Sequence, residues 1–308
     1  MIINISDVWD DALANHSAFL SSEIDDGLKA LSDSFLDVAV IEFVEANRNI
    51  IVGGSPLELP VCINDFEERF GTGVLRECAS QKLQDIFDFS GFSKKSTKPW
   101  TAYQLCLKAK YKICCYCHIV STGTCLPNED TKGYRPPIDH YYAKSEYPFL
   151  ALTLSNFIPC CEKCNGSQMK HAVDFAINIH LNPFVDEESI EFELNPILVD
   201  EGMVANALAL GLSPEHYQLK VEARKNHDAS NASINTFQLR SRYEDYSTQA
   251  FFLARKMKGY ASRQAMLEAE LEFELTLTDH LEFELDNYKN YAYGKVRVCI
   301  ARQYGAIP

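Results

Sequence analysis

The chain has 308 residues, 46% hydrophobic and 23% charged, with a formal net charge of −14. A chain this long buries roughly 75% of the surface its unfolded form exposes, so it needs no metal or disulfide merely to fold. No apolar run approaches membrane-spanning length and no basic, apolar leader opens the chain, which predicts a soluble cytoplasmic protein with no membrane partner.

Taken in order, residues 5–48 predict two packing helices. Ala12, Leu13, Phe19 and Leu20 recur at helical spacing, and Leu28, Leu31, Phe35, Leu36, Val38, Ile41 and Val44 form a wider apolar face. Gly53, Gly54, Pro56 and Pro60 predict a turn-rich connection over 50–62. A further helical segment over 64–88 breaks near Gly71 to Gly73, and a basic linker, 91–99, marks a boundary. Trp100 to Lys110 resumes the helical period. Alternation over 191–194 and 217–223 predicts strands, and 232–270 reads as one or two long helices. The segment Leu271 to Leu275 is repeated at Leu281 to Leu285, and Tyr291 to Ile300 fits helix or strand. The expected organisation is a helical region over 1–90, a central domain over 91–180 and a mainly helical region with short strands over 181–308.

Eight of the eleven cysteines lie between Cys106 and Cys164. That clustering predicts a metal site, whereas a disulfide framework would be distributed. Cys114 with Cys117, and Cys161 with Cys164, form two Cys-x-x-Cys turns that can offer four thiolates to one structural Zn²⁺. A set of three thiolates and one imidazole, drawing on Cys115, Cys160 or His118, is the alternative register. The 43-residue gap between the pairs exceeds the ~15 to 20 of a small zinc ribbon, so a functional insert sits inside the loop that the metal closes. Cys62, Cys78 and Cys299 are expected to be buried thiols, and His171 and His180 structural or surface residues.

The insert carries Arg135-Pro-Pro-Ile-Asp139-His140, then Asn156, with Asn165 directly after the last cysteine. This constellation resembles the HNH family of His-Me finger endonucleases, in the form pinned by a four-cysteine zinc, over residues 110–175. The wider pattern is similar to bacterial anti-phage effector nucleases of the Septu and retron type. The resemblance implies an α+β fold: a mostly helical protein with an embedded zinc-stapled ββα-metal nuclease core. It also implies that Asp139 and Asn165 hold a catalytic Mg²⁺ and that Asn156 holds the loop presenting His140. A neutral imidazole can accept a proton from water, which makes His140 the general base. The chain departs from the family pattern at Ala143, where Pro is common, and at Gln168, which delays the basic residue Lys170.

From Ser90 to Lys170, ten Lys and one Arg face five acidic residues, a local balance of +6 that leaves −20 elsewhere. Such a basic island can meet a phosphate backbone inside an acidic protein. Lys94, Lys95, Lys98, Lys108, Lys110 and Lys112, together with Arg135, Lys144 and Lys170, are its candidate contacts. The expected function is metal-dependent hydrolysis of phosphodiester bonds, in DNA, by a defence effector that a partner such as an ATPase activates. The competing expectation is a non-catalytic zinc module that binds nucleic acid or protein.

Overall fold

The computed structural model describes residues 2–95, 98–171, 173–197, 200–267 and 276–308, with 263–267 described by backbone alone. Contacts divide the chain into two units, Ile5–Lys112 with Thr122–Val185, and Met1–Asn4 with Ile113–Ser121 and Asp186–Pro308. The architecture is mostly helical α+β, with two small antiparallel two-stranded sheets among the described residues.

In the unit built on Ile5–Lys112, the helices are α1 (Leu13–Lys29), α2 (Phe35–Gly53), α3 (Leu59–Phe70), α4 (Val74–Ile86), α5 (Phe89–Ser93) and α6 (Ala102–Leu107). Their ends follow local chemistry. Ser34 caps α2 by accepting the Asp37 amide at 3.3 Å, and Thr101 with Gln104 forms a capping box on α6. The predicted turn over 50–62 is shorter than expected, because α2 runs to Gly53 and Pro60 lies in the first turn of α3, where its missing N–H costs nothing. The helices pack on one another through Leu20, Ile24, Phe43, Phe66 and Leu83. Phe43 and Phe66 meet Phe149 with ring centroids 5.0 and 4.9 Å apart, which anchors the segment 148–150 on α2 and α3. Two three-residue strands follow, β1 (Ile138–His140) and β2 (Phe157–Pro159), paired antiparallel with His140 opposite Phe157, and then α7 (Glu162–Asn165).

The other unit contains β3 (Ile190–Pro196), α8 (Val204–Leu208), β4 (Tyr217–Ala223), α9 (His227–Thr236), α10 (Leu239–Glu244), α11 (Ser247–Leu267), α12 (Leu277–Leu281) and α13 (Gly294–Gln303). Phe192 pairs with Val221 and Leu194 with Leu219, all four buried. Gln303 closes the outer edge of β3 by bonding both the amide and the carbonyl of Leu194 at 2.9 Å. Where one or two long helices are expected over 232–270, the described residues hold three, α9, α10 and α11, and Gln238, at a left-handed φ of 50°, separates α9 from α10. Of the stretch Tyr291 to Ile300, Gly294 onward is helix, the start of α13, after Tyr293 at a left-handed φ of 59°. The first Leu-Glu-Phe-Glu-Leu copy, 271–275, lies outside the described residues, and the second spans the end of α12 and the residues after it. Cys62 and Cys299 are buried as expected but Cys78 is exposed, one position off the Ala79, Leu83 and Ile86 stripe of α4. No described helix is long and apolar enough to cross a membrane.

Candidate active site and four-cysteine centre

Cys114, Cys117, Cys161 and Cys164 are buried, and their sulfurs lie within 4.8 Å of one another. Four thiolates bound tetrahedrally at ~2.3 Å stand about 3.8 Å apart, so this donor set fits one Zn²⁺. Each Cys-x-x-Cys turn is locally shaped. His118, at φ 54°, donates its amide to the Cys114 carbonyl at 2.7 Å, and Cys161 precedes α7 as its N-cap residue. The alternative register does not form, because the His118 ring is engaged elsewhere: Nδ1 accepts the Lys295 amide at 3.2 Å and Nε2 faces the Lys289 carbonyl at 3.4 Å. Burial pushes its pKa down to about 4. Cys115 and Cys160 are buried outside the four-sulfur group.

His140 ends β1 and is nearly enclosed, its ring against Phe89 at 4.6 Å and Phe157 at 5.2 Å between centroids. Nε2 lies 3.0 Å from the Ala151 carbonyl. A carbonyl only accepts, so Nε2 carries the hydrogen of the neutral ring and Nδ1 keeps the lone pair. Burial is the largest cause that pushes the His140 pKa down, to about 3; the Ala151 bond opposes it, and Lys144 and Lys170 push the same way. The ring is therefore neutral across the physiological range.

Asn156 is wholly buried and braces the loop that leaves His140. Its Oδ1 accepts the Tyr142 amide at 2.8 Å, and its Nδ2 donates to the carbonyls of Tyr142 and Leu150, both at 3.1 Å. Asp139 is buried, and the Lys170 ammonium donates to its Oδ1 at 2.7 Å and to the His140 carbonyl at 2.7 Å. Asp139, His140, Lys144, Asn165 and Lys170 line one cleft of about 800 Å³. A carboxylate, an amide oxygen and room for waters are a donor set that suits Mg²⁺, which keeps several waters and takes few protein ligands.

The expected phosphate contacts divide. Lys144 is exposed on the cleft wall, 6.0 Å from the Phe89 ring centroid. Arg135 is turned inward, donating to the Pro136 carbonyl at 2.8 Å and to Ser93 Oγ at 2.8 Å, with its guanidinium 5.5 Å from the Tyr103 ring centroid. Lys110 pairs with Asp7, Lys108 reaches the Asp11 carbonyl, Lys112 donates to the Cys106 and Leu107 carbonyls, and Lys95 donates to the Lys132 carbonyl. Lys94 and Lys98 lie on the chain just before α6 and do not line the cleft. His180 stacks on Phe175 at 4.2 Å, while His171 is exposed and lines the cleft.

Sequence reasoning missed Phe89 and Arg76, which also line the cleft, and the Ala151 carbonyl that holds His140. Phe89 and Arg76 belong to a helical region that carries no motif, and a backbone acceptor has no residue signature. Comparison with family models, with curated proteins and with solved structures gives no match for this chain.

Proposed function

We propose that the chain is a metal-dependent endonuclease of the ββα-metal type, with β1, β2 and α7 as its catalytic unit and a structural Zn²⁺ on the four cysteines. The observation that carries the reading is the His140 arrangement: a neutral imidazole whose Nε2 is committed to Ala151, on a loop clamped by Asn156, at the wall of a cleft shared with Asp139 and Asn165. His140 Nδ1 accepts the proton of the attacking water. Ala151 holds the ring in the required tautomer, and Asn156 fixes the turn that follows it. Lys144 meets the phosphate backbone from the cleft wall. A divalent ion held by Asp139 and Asn165 would supply charge neutralisation at the scissile phosphate and the leaving oxygen.

The substrate class is DNA, and the setting proposed is a defence effector whose activity rises with an activating partner protein. With Mg²⁺ the full chain should nick or cut plasmid. His140→Ala should keep its fold and zinc content and lose about 10²- to 10⁴-fold in rate. Undiminished cleavage by that variant sinks the assignment. The pairing of Asp139 with Lys170 favours a second reading, a non-catalytic zinc module, which predicts zinc and nucleic-acid binding without Mg²⁺-dependent turnover.

A further inference from the structure

Lys170 has an environment unlike that of a phosphate-binding lysine. It is 3% exposed, whereas lysines that meet a backbone in solution keep their ammonium in water. An ammonium has three donors, and each has a destination here: Asp139 Oδ1 at 2.7 Å, the His140 carbonyl at 2.7 Å, and the face of Phe175, whose centroid lies 4.7 Å away. The backbone is fixed as well. The Lys170 amide donates to the Cys164 carbonyl at 3.2 Å, and its carbonyl accepts the Val173 amide at 2.7 Å. A lysine held this way bridges the side chain of one proposed catalytic residue and the main chain of the next.

We infer that Lys170 is a positioning residue that holds Asp139 and the His140 main chain and competes with a divalent ion for Asp139. This rests on the nuclease reading of the cleft. A divalent ion on Asp139 and an ammonium hydrogen-bonded to the same carboxylate repel each other strongly in a buried setting, so binding of the ion requires the ammonium to leave. The competition keeps the free protein's ion affinity low. Nucleic acid, whose phosphate is a ligand for the ion and a partner for the released ammonium, raises it. The site is thereby loaded together with its substrate and stays shut to the ion without it.

Mn²⁺ titration of the zinc-loaded chain without nucleic acid, followed by electron paramagnetic resonance, tests this independently of cleavage. Lys170→Met and Lys170→Gln should bind Mn²⁺ at least about tenfold more tightly than the wild type, Lys170→Arg should bind as weakly as the wild type, and Asp139→Asn should abolish binding in every background. Unchanged or weaker affinity in Lys170→Met and Lys170→Gln, with binding still dependent on Asp139, overturns the inference and leaves the nuclease reading standing. Binding that ignores Asp139 in every background overturns the ion site itself, and the inference with it. Should the variants fail to fold, the wild-type protein still answers. A buried ammonium exchanges its protons slowly, so the Lys170 side-chain ¹⁵N resonance should be visible and should shift as Mg²⁺ saturates Asp139. A resonance unmoved at saturation overturns the proposal.

Discussion

Three consecutive carbonyl oxygens, those of Leu150, Ala151 and Leu152, each face a different side chain: Asn156 at 3.1 Å, His140 at 3.0 Å and His16 at 2.7 Å. The segment that orients His140 is thus held by its own acceptors. Asn156 contributes most, since it also closes the Tyr142 amide and carbonyl. Asn156→Ala leaves these buried backbone groups without their partner, which should lower stability by about 1 to 3 kcal/mol in urea unfolding. It should also reduce cleavage while zinc content is retained. A variant that cleaves at the wild-type rate would remove Asn156 from the mechanism. Asp139, His140, Asn156 and the four cysteines were legible because each is a residue type with an identifying spacing. The Ala151 carbonyl was not, because every residue has one. No acid lies near the lysines at 108, 110 and 112 in sequence, while in space Lys110 meets Asp7, Lys108 the Asp11 carbonyl and Lys112 the Cys106 and Leu107 carbonyls.

Among elements, legibility followed period and length. The helices α1 to α4 bury a stripe that repeats often enough to be seen, and β3 and β4 alternate over seven residues each. The strands β1 and β2, three residues each and buried throughout, show no alternation to detect. They were reached only through the motif they carry. Helix packing also sets constraints that composition hides. Gly27 lies in α1 where an added Cβ would come within 2.8 Å of Ile86 Cγ2, on the buried, β-branched last residue of α4. Gly27→Ala gains about 1 kcal/mol in helix propensity but overpacks a stiff side chain, at a cost of about 1 to 3 kcal/mol. The net expectation is destabilisation. Combining it with Ile86→Ala should show favourable coupling in a double-mutant cycle, because the collision is then absent. Additive effects would mean that the two helices separate without penalty.

For the molecule as a whole, charge and buried histidine pull stability in a pH-dependent direction. The net charge of −14 is concentrated away from the cleft segment, and two lysines of that segment, Lys110 and Lys170, pair with Asp7 and Asp139. Lys144 faces solvent at the cleft. Acid acts on the interior instead. His16, fully buried, accepts the Trp100 indole N–H on Nδ1 at 3.2 Å. An indole only donates, so the ring proton sits on Nε2 and is given to the Leu152 carbonyl at 2.7 Å. A second proton on Nδ1 would expel the indole. Burial accordingly pushes the His16 pKa down from 6.5 to about 4. A depressed folded-state value means that the unfolded chain binds the proton first as pH falls. The stabilisation is therefore complete above about pH 6.5 and is lost progressively toward pH 4, on the order of 3 kcal/mol in all. Urea unfolding of the wild type from pH 7.5 to 4.5 should show this fall. His16→Gln, which keeps a donor for Leu152 and has no proton to gain, should start less stable and show a shallower fall over the same range. An equally steep loss in that variant would assign the acid sensitivity to other groups.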